Sequence, residues 1–205
     1  MITFSLTFKG VNYNNSIFIG LAINPKYLGL IANPINIELL KFTPLKVKEK
    51  VIIFHGINSA NYYKKGSDYF EEALEIIQNK FPNKVEIKIA ESLPYNKYIK
   101  TYNEAHIVLD QVLAYDQGYN ALEAMSKGKV VFTGAEKEFY EYYNLNKTVA
   151  INALPDAKKI ADALEELILN PNKIIAIGKN AREFIEKEHH YIYSAQKYLD
   201  TWRST

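Results

Sequence analysis

From residue 51 onward, the chain alternates between short apolar runs and longer stretches with apolar residues at helical spacing. The runs predict buried strands, because short continuous apolar segments between polar loops are typical of strands covered on both faces. The helical stretches carry apolar residues on one face, which is typical of helices that pack on a sheet. We predict strands at 51–54, 85–90, 106–109, 130–132 and 148–151, and helices at 66–80, 95–103, 118–127, 136–143, 157–168, 172–187 and 191–202. Asp156 is the expected N-cap of the helix at 157–168.

Strands that alternate with helices at this spacing predict βαβ units, and therefore an α/β fold with a Rossmann-like, doubly wound parallel sheet and C-terminal helices. In such sheets a ligand binds at the carboxyl ends of the strands, near the point where the strand order reverses. A functional site is therefore expected in the loops that follow Phe54, Ala90, Leu109 and Phe132.

The first 48 residues differ from the rest of the chain. They are rich in asparagine and are interrupted by Gly20, Pro25, Gly29, Pro34 and Pro44. They are too short to form a second full domain. We therefore interpret residues 1–48 as the remnant of an upstream domain or as a linker, and residues 49–205 as one Rossmann-like domain.

The composition is that of a globular protein and excludes several kinds of site. The chain has 25 Lys or Arg and 23 Asp or Glu, and its formal net charge of +2 gives no reason to expect a nucleic-acid partner. There is no cysteine, which excludes disulfides and thiolate metal sites. The four histidines show no metal-ligand spacing, so no metal site is expected.

The sequence contains no apolar run of the roughly 20 residues that a membrane-spanning helix needs. The N-terminal residues, MITFSLTFKG, lack the basic and apolar pattern of a signal peptide. A cytoplasmic location is therefore the default expectation.

The loop between His55 and Gly66 is the first candidate site, because a predicted strand precedes it and a predicted helix follows it. Helix N-termini expose unpaired N–H groups and a positive dipole end, which favour phosphate, and Lys65 would add a full charge. The lysines precede the glycine, so the loop does not match the P-loop pattern. A solvated loop with two surface lysines, Lys64 and Lys65, explains the sequence equally well.

The segment from Tyr115 to Gly128 is the second candidate site. Gly118 would let the backbone approach a ligand closely at the start of a predicted helix. Glu123 lies in that helix among apolar residues, and a partly buried carboxylate needs a partner, which a ribose diol would provide. The ordinary interpretation is a solvated glutamate on the helix surface.

Asp110 and Gln111 follow the strand predicted at 106–109 and therefore lie at the carboxyl edge of the sheet. They would either cap the next loop or line a pocket. The structural role is the more common one for such residues, and we favour it.

Three segments together resemble the large retaining family 4 of glycosyltransferases, which have the two-domain GT-B architecture. Gly118 to Val131, GYNALEAMSKGKVV, is similar to the family's E-G-F-G-x-x-x-x-E-A-M-A-x-G-x-P-V segment. His55 to Gly66 resembles its G-R-x-x-x-x-K-G loop, and residues 31–36 resemble the I-P-N-G-V-D turn between its two domains. The segments occur in the family's order and spacing, and the resemblance extends from about Leu28 to the C-terminus.

The resemblance implies the donor-binding half of a GT-B enzyme, which binds a nucleoside diphosphate sugar. By position, Lys65 would neutralise the diphosphate and Glu123 would hold the ribose hydroxyls. Backbone N–H groups for the phosphate or the sugar would come from Gly118, Tyr119 and Asn120. The other residues implied in this site are Gly56 and Asp116, and, near the base, Glu91 and Ser92.

Two positions depart from the family pattern. The family's first glutamate falls on Tyr115, and its arginine falls on Ile57. The first change removes a carboxylate that orients the donor sugar, and the second removes a positive charge from the diphosphate site. Candidates for replacing them are Asp116, His55 and Asn58.

The resemblance implies transfer of a glycosyl group with retention to a saccharide or lipid-linked acceptor, as in polysaccharide or lipopolysaccharide biosynthesis. The nucleotide sugar is the substrate, and no cofactor beyond it is expected. The full-length protein is expected to associate peripherally with the membrane when its acceptor is lipid-linked. The predicted helix at 191–202 resembles the family's closing helix, and the isolated chain is expected to turn over poorly or not at all without a full acceptor domain.

Two alternatives remain open at this point. The two departures favour a degenerate donor-like domain that acts as a partner or regulatory module. A sugar epimerase of GT-B architecture would also bind a nucleotide sugar, but the histidines and carboxylates offer no clear acid–base set.

Overall fold

The computed structural model describes residues 31–91 and 93–204. Five strands form one sheet, with the bounds β1 Val51–Ile57, β2 Val85–Glu91, β3 Ile107–Leu109, β4 Val130–Thr133 and β5 Ile151–Asn152. All neighbouring strands are parallel, and their order across the sheet is β2-β1-β3-β4-β5. The chain passes from β1 to β2 on one side and then returns to place β3 on the other side. The strand order therefore reverses between β1 and β3, which is where such a fold binds its ligands.

Eight α-helices connect and follow these strands within the described residues. Their bounds are α1 Tyr62–Lys65, α2 Ser67–Lys80, α3 Tyr95–Glu104, α4 Tyr119–Ser126, α5 Lys137–Tyr142, α6 Ala157–Leu169, α7 Pro171–Glu188 and α8 Tyr191–Ser204. A short 3-10 helix at Ser59–Asn61 precedes α1. The Asp156 side chain accepts a hydrogen bond from the N–H of Lys159 at 3.0 Å, which confirms the predicted N-cap of α6.

The predicted α/β fold with a doubly wound parallel sheet is confirmed, and most predicted elements agree with the structure to within a few residues. The last strand is an exception, because only Ile151 and Asn152 pair with β4, whereas 148–151 was predicted. The first candidate loop is another exception. Residues 59–65 are helical, because Asn58 caps the 3-10 helix through the N–H of Ala60 and α1 follows directly.

The core consists of two apolar layers, one on each face of the sheet. Alternate strand residues supply the two layers, as in Ile53 and Phe54 of β1. One layer includes Phe70, Ile77 and Leu164, from α2 and α6. The other includes Leu122, Met125, Phe139 and Phe184, from α4, α5 and α7. Because both faces are covered, the strands can read as continuous apolar runs.

Residues 31–48 pack against the C-terminal part of the same domain. Ile35 forms a parallel bridge with His190, through hydrogen bonds from Ile35 N–H to His189 O at 2.7 Å and from Tyr191 N–H to Ile35 O at 3.2 Å. The guanidinium of Arg182 donates to the carbonyls of Leu40 and Ser126, both at 2.8 Å. Assignment of residues 1–48 to an upstream domain or a linker stays a prediction, and residues 1–30 lie outside the described residues.

None of the helices in the part of the chain that the structure describes combines the length and apolar character needed to cross a membrane.

Candidate functional site

Asp110 lies at the carboxyl end of β3 and joins two of the predicted site residues. Its Oδ1 accepts a hydrogen bond from Nζ of Lys65 at 2.9 Å and another from Nδ2 of Asn120 at 3.0 Å. The Asp110 side chain is 1% exposed, and that of Lys65 is 30% exposed. One buried carboxylate oxygen thus brings together α1, β3 and α4 at the point where the strand order reverses.

Lys65 is the last residue of α1 and is held by the backbone as well as by its side chain. Its carbonyl accepts a hydrogen bond from Val112 N–H at 2.7 Å. Gly66 then takes the left-handed conformation (φ 69°), and a Cβ there would lie 2.8 Å from Cβ of Val112. The turn after Lys65 therefore requires glycine for both its dihedral angle and its packing.

Tyr98 of α3 extends the contacts of Asn120 toward β1. Its hydroxyl donates to Oδ1 of Asn120 at 3.1 Å, and its ring lies over Gly56. A Cβ on Gly56 would lie 3.0 Å from the Tyr98 ring and hydroxyl, so this glycine provides the room for Tyr98. Burial, with smaller contributions from Asp110 and Glu123, raises the pKa of Tyr98 to about 12, so the hydroxyl remains protonated and able to donate.

Glu123 lies one helical turn beyond Asn120 on α4, about 4.5 Å further along the helix axis. Its side chain is half-buried, and its charge contributes to the raised pKa values of Tyr98 and Tyr102, after burial as the main cause. Glu123 therefore faces the tyrosines of α3. Lys65 and Glu123 both lie on elements that meet at the carboxyl edge, linked through Asp110 and Asn120.

A smaller cleft of about 170 Å³ opens beside Lys65. Its lining includes Lys64, Lys65, Asp116 and Gly118. Gly118 has ordinary extended dihedral angles, and a Cβ placed on it would meet nothing within 4 Å. The first turn of α4 has no side-chain cap in the described structure, so its N–H groups lie next to open space.

Asp116 lines the smaller cleft and has a carboxylate with one buried oxygen, Oδ1, that has no hydrogen-bond partner among the described residues. Burial raises the pKa of Asp116, and the charge of Asp110 adds to that rise. The Asp116 carbonyl accepts from Nε2 of Gln111 at 2.8 Å, so it is Gln111 that braces this loop.

A larger cleft of about 450 Å³ is lined in part by Tyr98 and lies at the ends of β1 and β2. Ile57, at the position of the family's arginine, lines this cleft with Ala90 and Leu93. Glu91 ends β2 nearby, and its Oε1 accepts from Oγ of Ser59 at 3.1 Å. Ser92, for which a role near the base is predicted, lies outside the described residues.

The three candidates for replacing the missing family residues have different surroundings, and Asn58 lines the larger cleft with Ile57. His55 is 1% exposed, its Nδ1 is 3.2 Å from Leu109 O, and burial lowers its pKa. It is therefore a neutral interior residue and supplies no positive charge. The Asn58 side chain is engaged as the cap of the 3-10 helix. Asp116 alone of the three lines the smaller cleft.

The sequence interpretation did not identify Tyr98. It named Asp110 at the carboxyl edge and favoured a structural role for it, and the structure places its side chain against Lys65 and Asn120. Tyr115, at the position of the family's first glutamate, and Tyr119, the first residue of α4, are both exposed at this edge.

Comparisons with known proteins agree with this fold. A family model described as "Glycosyl transferase-like" matches residues 54–200. No curated protein sequence matches the chain. The C-terminal domain of a glycosyl transferase group 1 family protein (LpcC) from Francisella tularensis is 17% identical with a TM-score of 0.53, covering 76% of this chain and 98% of that one.

Two further structures are similar over more of this chain. A mutant of TarM from S. aureus, in complex with Fondaparinux, alpha-GlcNAc-glycerol and UDP, has a TM-score of 0.65 at 18% identity over 90% of this chain. Anabaena Alr3699/HepE, in complex with UDP-glucose, has a TM-score of 0.63 at 15% identity over 86% of this chain. This chain covers only 41% and 57% of those two chains. The family match spans most of the sequence, and the chain therefore belongs to the Glycosyl transferase-like family, with the fold of a GT-B C-terminal domain.

Proposed function

We propose that this domain binds a nucleoside diphosphate sugar at the carboxyl edge of its sheet and supports transfer of the sugar to an acceptor. The observation that carries the proposal is that Lys65 and Gly118, at the start of α4, line one cleft. Asp110 connects Lys65 to Asn120 of the same helix, and Glu123 lies one turn further on. A cation and unpaired N–H groups at a helix start are the combination that binds phosphate.

The chemistry of transfer explains why these groups belong together. As the sugar leaves, negative charge grows on the diphosphate and positive charge on the anomeric carbon. Lys65 and the N–H groups after Gly118 would stabilise the leaving diphosphate, because both are fixed before the reaction begins. The proposed reaction uses the nucleotide sugar as its substrate and needs no further cofactor or metal.

The two clefts suggest how the donor would lie. The smaller cleft would take the diphosphate, since Lys65 and Gly118 line it. The larger cleft would take the nucleoside, with the base against Ile57 and Leu93. Glu123, which lines neither cleft, would have to reach the ribose hydroxyls from α4. Tyr98 lines the larger cleft and donates to Asn120, so it would lie beside the ribose. Asp116 would contact the donor sugar in place of the family's first glutamate.

The proposed transfer proceeds with retention to a saccharide or lipid-linked acceptor, in polysaccharide or lipopolysaccharide biosynthesis. It takes place in the cytoplasm, and a lipid-linked acceptor would attach the full-length protein peripherally to the membrane. The structures of TarM with alpha-GlcNAc-glycerol and UDP, and of HepE with UDP-glucose, support this class of ligand. Because this chain covers about half of those proteins, the acceptor would bind mainly to residues outside this domain.

Calorimetric titration with UDP, GDP, ADP and their sugars tests the proposal. We expect one base series to bind, and Lys65→Ala and Glu123→Ala each to weaken it about ten- to a hundredfold, as for a lost charged hydrogen bond. The matched controls are Lys80→Ala and Glu165→Ala. These residues form an ion pair at 2.6 Å, and Lys80 ends α2 just before β2 begins, at the opposite edge of the sheet.

Equal affinities in wild type, Lys65→Ala and Glu123→Ala would remove both residues from the site. If the wild-type domain binds none of these nucleotides but associates stably with another protein chain, the degenerate regulatory domain is the better explanation, and the two family departures at Ile57 and Tyr115 would be its cause.

A further inference from the structure

The two members of the ion pair between Lys65 and Asp110 differ in their exposure to solvent. The carboxylate is 1% exposed and the lysine side chain 30% exposed. Lys65 lines the smaller cleft, and Asp110 lies beneath it. A ligand in the cleft would therefore meet the ammonium first, with the carboxylate behind it.

Burying the Asp110 carboxylate lowers the stability of the fold, and a residue kept at such a cost is a candidate for a function. Its Oδ1 accepts two hydrogen bonds, but its Oδ2 is buried with no partner in residues 31–91 and 93–204. Buried carboxylate oxygens without a partner are rare, and a buried ion pair often stabilises a protein less than apolar residues would. Stability alone therefore does not account for Asp110.

We propose that Asp110 is a positioning residue that holds the Lys65 ammonium and the Asn120 amide in place for a diphosphate. This inference rests on the proposed function of the smaller cleft. A free lysine side chain has many rotamers, and fixing it before the ligand arrives removes that entropy cost from binding. Because Asn120 also accepts a hydrogen bond from the Tyr98 hydroxyl, the Asp110 carboxylate helps to fix polar groups from α1, α3 and α4 at once.

The negative charge of Asp110 opposes this effect, since it repels a phosphate. Lys65 Nζ lies 2.9 Å from Oδ1 and on the cleft side, so the ligand meets the positive end of a closely paired dipole. The Lys65 ammonium therefore partly cancels the repulsion between the buried carboxylate and a phosphate. Nothing would compensate in the same way for a Lys65 side chain that is no longer held in position. We expect positioning to dominate.

A double-mutant cycle measures which effect dominates. Asp110→Asn keeps the shape and removes the charge, and Lys65→Met removes the ammonium. The affinities of wild type, both single variants and the double variant are measured for the nucleoside, the monophosphate and the diphosphate of the base that binds. Glu165→Gln with Lys80→Met, the exposed pair at the opposite edge, is the matched control cycle.

We expect Asp110→Asn to weaken diphosphate binding about tenfold, the factor that freeing one long side chain costs. Nucleoside binding stays unchanged, and the change causes no further loss in the Lys65→Met background. Stronger diphosphate binding in both backgrounds would mean that the Asp110 charge only opposes the ligand. Equal weakening for nucleoside and diphosphate would mean a purely structural role. Either result overturns the proposal.

The cycle also separates this inference from the proposed function. If wild type binds no nucleoside diphosphate, the proposed function fails; if wild type binds and Asp110→Asn binds equally well, only the positioning role fails. Thermal unfolding of each variant checks that it is folded. Asp110→Ser, which also removes the charge, replaces Asp110→Asn if the latter does not fold.

Discussion

The two edges of the sheet treat their buried polar groups in opposite ways. At the amino-terminal edge, His106 accepts from Ile52 N–H at 2.9 Å through Nδ1, and its Nε2 lies 3.3 Å from Lys46 O. Lys129 donates to the carbonyls of Asn103 at 2.9 Å and Ala105 at 2.7 Å. These groups bind only to the protein itself.

At the carboxyl edge, several buried polar side-chain atoms have no hydrogen-bond partner among the described residues. Five buried polar side-chain atoms lack a hydrogen-bond partner in the described part of the chain, and three of them lie here: His55 Nε2, Asp110 Oδ2 and Asp116 Oδ1. A protein keeps unsatisfied groups only where something other than stability selects them. The contrast agrees with the proposal that the carboxyl edge binds a ligand, whereas the amino-terminal edge serves the fold, and four experiments test it.

The largest effect is expected from Lys129→Met at the amino-terminal edge. The change keeps the length of the side chain but removes the donor from the buried carbonyl of Ala105 and from the part-buried carbonyl of Asn103. We expect the free energy of unfolding to fall by about 2–3 kcal/mol, with nucleotide affinity unchanged. Denaturant unfolding and calorimetry measure the two quantities. If Lys129→Met keeps full stability but loses nucleotide affinity, the assignment of the amino-terminal edge to the fold is wrong.

Gly118→Val should produce the opposite result at the carboxyl edge. A Cβ at this position meets only open space, and the backbone is in a region that any residue adopts, so stability should be preserved. The added side chain would occupy the smaller cleft and weaken nucleotide binding by about 1–3 kcal/mol, or about ten- to a hundredfold. Unchanged affinity in a stable Gly118→Val would show that no ligand uses this cleft.

Asp116→Asn should raise stability near neutral pH. Because the folded-state pKa of Asp116 is raised, the folded protein holds this proton more tightly than the unfolded chain does. The contribution of Asp116 to stability is therefore greatest below its unfolded-state pKa and is lost as pH rises through its folded-state pKa. Removing the charge should stabilise by about 1 kcal/mol at pH 7 and flatten this dependence. A loss of stability at pH 7 would mean that the carboxylate has a favourable partner.

Asp156→Asn and Asp156→Ala are the controls for that experiment. The hydrogen bond from Lys159 N–H lowers the pKa of Asp156, so its charge stabilises the fold, in contrast to that of Asp116. Asp156→Ala should therefore destabilise α6, and Asp156→Asn, which can still cap a helix, should do so less.

The smallest effect concerns pH and His55. Burial lowers the pKa of His55 below its ordinary value of 6.5, so the unfolded chain binds this proton more readily than the folded protein. Stability should hold above pH 6.5 and decline as pH falls below it, by no more than about 1.4 kcal/mol per pH unit for one proton. His55→Gln should reduce this slope. His106 and His189, whose pKa values burial also lowers, contribute the part of the slope that remains.

The sequence predicted the fold well because strands and helices leave their pattern in consecutive residues. The apolar run at Val51 and the one-sided helix after Gly66 carry that pattern and were located almost to the residue. The polar stretch 59–65 has no apolar periodicity, so its short helices were not predicted. The predicted bounds of β5 were wrong because the length of this strand depends on pairing with β4, which is not encoded within the segment itself.

The site could be predicted only in outline. The motif pattern indicated Lys65 and Glu123, and the rule for doubly wound sheets indicated the correct edge. The hydrogen bonds that organise it join Lys65 to Asp110 across 45 positions and Tyr98 to Asn120 across 22. Such pairs are created by the strand order and leave no local signal. The roles proposed for all the site residues stay predictions, namely those of Lys65, Glu123, Gly118, Tyr119, Asn120, Asp116, Gly56, Glu91 and Ser92.

The bridge between Ile35 and His190 has a mechanical consequence. Two distant parts of the chain, the stretch before β1 and the stretch entering α8, run side by side through one pair of backbone hydrogen bonds. A rotation transmitted along either stretch would reach the other at that crossing. Separating the two stretches would break both of these backbone hydrogen bonds, so the segment that leads into β1 and the start of α8 are held to each other.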